Sequence, residues 1–570
     1  MIRNNNFNRN LILLILIFFI GLSGHAQKER PKLIVGIVVD QMRPDYLNRY
    51  YNDFDQEGFK TLLSNGFSMW NVHYNYVPTY TGPGHASVYS GTTPRFHGII
   101  GNDIFSRDSL KTFYCVDDQD KQYYIIVNDI IDKSKGFSPR KLIVTNICDE
   151  LKMATNNHSR VISISLKDRA AILSAGHLAD CALWLDLKSG NFVTSNYYTD
   201  KIPGWVEKFN GSNHAAGCIA KQWNLLPGKD FSDCSLPDKA FTVKVVNSKK
   251  DTVYTLTPGF PHDLIPKNAK SDKFGLLYNS PMADSLLTDL AIEAINNDTL
   301  LAKGTAPDVL AISYSATDAV GHLFGPDSKE VKDTYLRLDK DLARLIATLD
   351  KKIGKDNYTL FLTADHGVAE FPENSVNKEK FTGGYVNHDS LLVFAKNFLK
   401  AKYSSDHLIS TLVNDQFYLN RDTIEQNHLN LKTIQTELAN ELVQKYPTIA
   451  FAYPASVLNE SEFTSNFGMR IQNGFNPKIS GDVALIMKSG FEEVKKNKSG
   501  NMINYITEHG SSYTYDTNIP LIWYGKNIKK GESWQYHSIT DLAATLSMIL
   551  RIKYPSACIG NPITEIITGE

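Results

Sequence analysis

Leu33-Ile-Val-Gly-Ile-Val-Val39 is an unbroken apolar, largely β-branched run, and Asp40 ends it. A strand that is apolar on both faces must be covered on both faces. That is the mark of an interior strand of a parallel sheet rather than of a half-solvated antiparallel one. Runs of the same character recur at 160–165, 309–313, 358–363 and 519–524. Helical patterns lie between them, the clearest at 328–353, where Leu338, Leu342, Leu345 and Leu349 form one stripe. Buried strands alternating with helices predict an α/β fold with a mostly parallel central sheet flanked by helices.

Two stretches break the alternation. Residues 183–278 are polar with little helical period, and 371–503 hold one clear helix, Leu431 to Lys445. Both read as insertions hung on the sheet, the second long enough to form a cap. Met1 to Ala26 carries Arg3 and Arg9, a 12-residue apolar run from Leu11 to Leu22, and small residues before Gln27. This describes a secretory signal, and the run is short for a bilayer span. The expected organisation is therefore a signal peptide over 1–26 and one catalytic unit over 27–570, periplasmic or secreted, with no later membrane span. The 60 basic and 61 acidic residues offer no nucleic-acid-binding surface. Six cysteines with no CxxC pair are not a disulfide framework, although Cys218 and Cys234 share a loop-rich stretch and make the one pair expected to bridge.

In an open parallel sheet, ligands bind outside the carboxyl ends of the strands. The residues that follow the predicted strands are uniform in character. Asp40 follows the first, Lys167 and Arg169 the second, Asp318 and His322 the third, and Asp365-His366-Gly367 the fourth, while His509-Gly510-Ser511 shortly precedes the fifth. Asp318 and His322 are four apart, so one helical turn puts both on one face. A lone aspartate after a strand is usually a helix cap, and a lone histidine is usually satisfied core. Three Asp and three His at successive strand ends instead suit two metal ions with open positions, and carboxylate plus imidazole without thiolate suits zinc at a catalytic site.

Pro78-Thr-Tyr-Thr-Gly-Pro-Gly-His-Ala-Ser87 supplies two hydroxyl residues before a Gly-Pro-Gly turn, followed by a small-residue run that could open a helix. A helix N-terminus can present a nucleophile beside an anion. A surface turn with two threonines has the same composition, so this stretch alone leaves both readings open.

Together the motifs Val35-Gly-Ile-Val-Val-Asp-Gln-Met42, Thr81-Gly-Pro-Gly-His85, His97-Gly-Ile-Ile-Gly-Asn102, Ser165-Leu-Lys-Asp-Arg-Ala170, Asp318-Ala-Val-Gly-His322, Thr363-Ala-Asp-His-Gly367 and His509-Gly-Ser511 resemble the alkaline phosphatase superfamily, in particular its secreted bacterial phosphomonoesterases with a threonine nucleophile. The resemblance implies an alkaline-phosphatase-like fold and two Zn2+ per chain. Asp318, His322 and His509 would hold one ion. Asp40, Asp365 and His366 would hold the other, which also touches the nucleophile. Thr81, before Gly-Pro-Gly-His, matches the family nucleophile, and Thr79 does not. Asn102 matches a donor to a phosphoryl oxygen, and Lys167 and Arg169 match a cationic pair that the monoesterase branch sets on the phosphate. The diesterase pattern has Phe-Pro-Asn-His after the threonine, so Gly82 and Gly84 are departures, and they are expected to let phosphate approach the backbone.

The implied reaction is hydrolysis of small-molecule phosphate monoesters of broad range through a phosphothreonine intermediate, by a monomer. A monoester carries close to one more negative charge than a diester, so the pair Lys167 and Arg169 would favour it. A phosphodiesterase or nucleotide pyrophosphatase is the nearest rival. A sulfatase would need Cys or Ser where Thr81 stands, and an exported zinc-stabilised binding protein would not need Thr81 at all.

Overall fold

The computed structural model describes residues 29–567 except 121, 128–129, 237–240, 247–251, 266–272, 300, 374–382, 494, 497–501 and 504. The expected signal segment, 1–26, lies outside the described residues. Seven strands frame the site: β1 (Leu33–Val39), β2 (Phe67–His73), β3 (Val161–Ser165), β4 (Cys181–Leu185), β5 (Asp308–Tyr314), β6 (Tyr358–Thr363) and β7 (Asn518–Gly525). All five apolar runs form strands, and β1, β3, β5 and β6 are buried at every residue, as uninterrupted hydrophobicity requires.

These strands stand in the order β2-β7-β6-β1-β5-β3-β4 inside a twelve-stranded sheet. From β6 to β4 every pairing is parallel, with Val38 opposite Thr363 and Ser313, and Ser313 opposite Ser165. The carboxyl ends of five strands therefore share one edge. β7 runs antiparallel to both β6 and β2, so the sheet is α/β in character but mixed outside its parallel centre. The direction of β7 matters for the site. Leu521 lies opposite Thr363, which brings the start of β7 to the same edge as the ends of β6 and β1.

The flanking helices include α1 (Thr81–Ser90), α2 (Asp168–Ala175), α3 (Ala316–Phe324) and α4 (Lys329–Lys352). Ser328 caps α4 through a bond from Val331 N, and the predicted leucine stripe is buried against the core.

The stretch 183–278 begins inside β4, and Phe192–Ser195 adds an antiparallel strand beside it, so its first residues belong to the main sheet. Short strands joined by the polar turn Asp186–Asn191 hid that membership. The stretch 371–503 carries a four-stranded sheet in the order Ile409–Val413, Gln416–Leu419, Val483–Met487, Ile449–Pro454, with all pairings antiparallel. Against it pack α5 (His388–Tyr403) and α6 (Leu431–Lys445), burying Leu391, Leu399, Phe417, Ile434, Leu438 and Leu442 in a core separate from that of the main sheet. The apolar pattern of the sequence marks α6 but not α5, where Val393, Phe394 and Phe398 lie off the buried stripe of Leu391, Ala395 and Leu399 and blur its period. The expected Cys218–Cys234 bridge is absent: both thiols are free. Cys218 lies on the helix His214–Ile219, whereas Cys234 stands near Lys332.

Candidate active site

Asp40 follows β1 directly, Asp365 and His366 follow β6, Lys167 follows β3, and α3, leaving β5, presents Asp318 and His322 one turn apart. His509 joins them because β7 is antiparallel: the chain leading into it arrives at the carboxyl edge of the parallel strands. Asp318, His322 and His509 bring ligand atoms within 4.8 Å of one another, and so do Asp40, Asp318 and His366. The second group contains Asp318 where the sequence reading had Asp365. Asp365 stands alongside, its Oδ2 3.5 Å from His366 Nε2.

The three imidazoles are oriented alike. Their Nδ1 atoms lie 2.8, 2.9 and 2.7 Å from the carbonyl oxygens of Thr507, Gly367 and Thr79 for His322, His366 and His509 respectively. A carbonyl only accepts, so each Nδ1 carries the proton. Burial keeps His366 and His509 neutral with an Nε2 lone pair turned inward. At His322 burial is outweighed by Asp318 and Glu508, which raise it to about 10, so that its Nε2 faces Asp318 with a proton that a metal ion would replace. The Nε2 atoms meet carboxylate oxygens: His322 Nε2 is 3.1 Å from Asp318 Oδ1, His366 Nε2 is 3.4 Å from Asp40 Oδ1, and His509 Nε2 is 3.6 Å from Asp318 Oδ1. Lone pairs facing one another need a cation between them. His366 Nε2, Asp40 Oδ1 and Asp365 Oδ2 are moreover buried without a hydrogen-bond partner. The residues fit a divalent-metal centre with oxygen and imidazole ligands.

The electrostatics agree. Burial, then the Asp318 and Asp365 carboxylates, push the Asp40 carboxyl up to about 8, and burial lifts Asp365 to about 6. Burial lowers His366 to about 4, which keeps the ring in its neutral, ligating form. Lys167 Nζ is 2.6 Å from both Asp40 Oδ2 and Asp318 Oδ2; burial opposes its charge, but Asp318 and Asp40 hold it well above an ordinary lysine. Three carboxylates facing one ammonium leave a surplus of buried negative charge that divalent cations would neutralise.

Thr81 stands at the first position of α1, after the N-cap Tyr80, where the helix dipole is positive. Its Oγ1 lies 3.4 Å from Lys167 Nζ and 3.3 Å from Arg169 Nη2. Thr79 is engaged elsewhere, its hydroxyl donating to Ser511 O at 3.0 Å. Asn102 Oδ1 accepts from Gly82 N at 2.8 Å, which leaves the amide Nδ2 as its remaining donor. Arg169 is held by Tyr114, whose hydroxyl accepts from Nη1 at 3.0 Å and donates to Asp168 Oδ1 at 2.5 Å. Lys167 and Arg169 converge from the N-cap and first turn of α2.

Gly84 does not serve phosphate approach: a Cβ there would lie 2.5 Å from Asp365 O, so this glycine lets α1 press against the chain after β6. Gln41 escaped the sequence reading. With a left-handed backbone (φ 65), it donates from Nε2 to Asp318 Oδ1 at 2.8 Å and from its N–H to Asp365 Oδ1 at 3.3 Å, so one residue orients carboxylates on both sides of the centre. Its amide occupies the space left by Gly321, where a Cβ would fall 1.8 Å from Gln41 Oε1. The glycine inside Asp318-Ala-Val-Gly-His322 was the available signal.

A buried Asp/His centre at the carboxyl edge of a mixed α/β sheet, with a hydroxyl at a helix start between two cations, defines a metal-dependent hydrolase of phosphoryl esters. A profile of type I phosphodiesterase / nucleotide pyrophosphatase matches residues 34–512. The chain belongs to that family, within the alkaline phosphatase superfamily. It is 40% identical over 539 residues to alkaline phosphatase PafA of Elizabethkingia meningoseptica, covering 94% of this chain and 95% of the relative. The crystal structure of wild-type PafA superposes with a TM-score of 0.86 at 38% identity, covering 95% of this chain and 100% of that one. A protein of Myroides odoratus named calcium-transporting ATPase is 38% identical over 99% of this chain and 100% of its own length. Alkaline phosphatase PhoV of Synechococcus elongatus is 35% identical over 94% of this chain and 93% of its own length.

Proposed function

We propose that the chain is an alkaline phosphatase that hydrolyses small-molecule phosphate monoesters through Thr81. The observation that carries this is the convergence of Lys167 and Arg169 on Thr81 Oγ1, at 3.4 and 3.3 Å, beside a buried Asp/His centre. Two zinc ions are the proposed cofactors, held by Asp318, His322 and His509 and by Asp40, Asp365 and His366. Bound there, they supply Lewis acidity and lower the pKa of the attacking hydroxyl.

The chain's own residues do the rest. α1 fixes Thr81 Oγ1 at the helix start, so attack on phosphorus comes from one direction. The P–O bond to the leaving alcohol breaks as the Oγ1–P bond forms, giving a phosphothreonine. Asn102 Nδ2, Lys167 and Arg169 bind the phosphoryl oxygens, whose negative charge matches this donor set. Water then attacks from the vacated side and releases inorganic phosphate, so two inversions leave the configuration at phosphorus retained.

Residues 27–570 are taken as one catalytic unit capped by 371–503 and exported by the signal over 1–26. Among the described residues no helix is long and apolar enough to cross a membrane. The deciding experiment is a substrate panel on the zinc-loaded protein: an aryl phosphate, its methyl diester and ATP. Monoester kcat/KM far above diester kcat/KM supports the reading, and the reverse order favours a phosphodiesterase. The ATP arm bears on the differing name of the Myroides relative.

A further inference from the structure

A cavity of about 240 Å3 lies between the cap and the start of α1. On the catalytic side it is bounded by Tyr80, Asn102 and His509, and on the cap side by His388, Asn414 and Asp415. At ~30 Å3 per water it holds the equivalent of about eight waters, the size of a small alcohol with a substituent. We propose that this cavity is the leaving-group subsite, and that it favours alcohols bearing a positively charged amine or quaternary ammonium. The proposal rests on the phosphomonoesterase reading above and adds the substrate class to it.

The cap is fastened here by one turn. Asn414 and Asp415, both with left-handed φ (51 and 56), join the strands Ile409–Val413 and Gln416–Leu419 as a two-residue hairpin loop. Asn414 Nδ2 donates to Asp103 O at 2.7 Å, and only a glycine at 101 admits it, since a Cβ there would lie 2.3 Å from Nδ2. The hairpin tip is thus locked beside Asn102. His509, one of the proposed metal ligands, forms the opposite wall.

The lining is lopsided in charge. Among the described residues, Asp103, Asp415, Glu492, Glu493, Glu508 and Asp516 share the lining with two histidines, His388 and the proposed metal ligand His509, and with no lysine or arginine. His388 is spent between Asp415 Oδ1 at 3.0 Å and Glu493 Oε2 at 3.1 Å. Glu492 and Asp516 are 8% and 0% exposed, and each keeps one carboxylate oxygen without a hydrogen-bond partner. Tyr80, Phe491 and Tyr515 add aromatic surface to the same walls. Burial raises Glu492 and Asp516, so a cation in this low-dielectric cleft would be the counter-charge that lets them ionise, and with the ring faces the walls favour a cation over an anionic leaving group.

The test compares kcat/KM for phosphocholine with that for 3,3-dimethylbutyl phosphate, its uncharged isostere, on the zinc-loaded enzyme. The ammonium also makes choline a better leaving group, so the decisive reading is how the ratio responds to the cavity. A wild-type ratio of about tenfold or more is expected at low salt. Glu493→Gln, and separately Asp415→Asn, should cut it severalfold by raising KM for phosphocholine while the neutral ester is unaffected, and 1 M salt should act in the same direction. A ratio that neither substitution nor salt changes overturns the subsite and leaves the phosphatase reading standing. Failure to hydrolyse either ester overturns the phosphatase reading instead. Should a variant unfold, the salt dependence of the wild-type ratio decides alone.

Discussion

The carboxyl edge of the main sheet and the cap that closes over it are built by opposite rules. At the edge, Asp40, Lys167, Asp318 and Asp365 each lie a residue or a few beyond a strand that burial fixes in place, so they have little freedom to be anywhere else. The cap has its own sheet and its own apolar core, and it reaches the site through a hairpin tip and a few side chains whose meeting depends wholly on tertiary packing. On the readings proposed above, the strand ends of the main sheet place the chemistry and the selection of monoesters, and the part with its own separate core places the choice of leaving group.

The sharpest way to break this division is at Thr81. Thr81→Ala should lower turnover by about four orders of magnitude or more, with bound zinc unchanged by metal analysis, because Thr81 is not needed to hold Asp40, Asp318 or the histidines. Substantial residual hydrolysis would mean that water attacks directly and that the start of α1 only shapes the pocket. The next largest effect belongs to the cationic pair. Lys167→Ala with Arg169→Ala should reduce monoester kcat/KM by about 10²–10³ and diester kcat/KM far less. Equal losses would move monoester selection away from the edge and into the cap.

The same division explains what could be read from the sequence. Asp40, the Asp318/His322 pair and Asp365-His366 were legible because a buried strand and a helical turn fix their offsets. The motif match marked His509, but the reason it reaches the site, the antiparallel course of β7, is a long-range pairing with no local signature. Gln41 was invisible: a glutamine after a strand-end aspartate looks like loop, and only the space at Gly321 gives it purpose. Nothing in the sequence singles out His388, because its partners Asp415 and Glu493 come from distant parts of the chain.

Gln41 tests whether the edge is as rigid as its strands. Because it ties Asp318 and Asp365 together, Gln41→Ala should weaken zinc affinity by about 10–100-fold in chelator competition, with kcat largely recovered at saturating zinc. Glu at this position would place a carboxylate against Asp318 and should be worse than Ala. Unchanged affinity in Gln41→Ala would show that the strand ends alone hold the carboxylates.

The smallest effect lies in the cap. Burial alone would lower the His388 pKa, but hydrogen bonds from the ring to Asp415 and Glu493 lift it from 6.5 to about 10. A folded pKa above the unfolded one means that the native state binds the proton more tightly. The contribution to stability is therefore complete below about pH 6.5, shrinks as pH rises through that window and is gone above about pH 10. His388→Gln should accordingly lower Tm by about 1–3 °C at pH 6 and by almost nothing at pH 10.5. The loss should appear in protection of the cap strands against hydrogen exchange, while the strands of the main sheet keep theirs. A Tm deficit that stays constant across this range would show that His388 serves only to fill space, and a loss of protection spread equally into β1 and β5 would show that cap and sheet unfold as one unit.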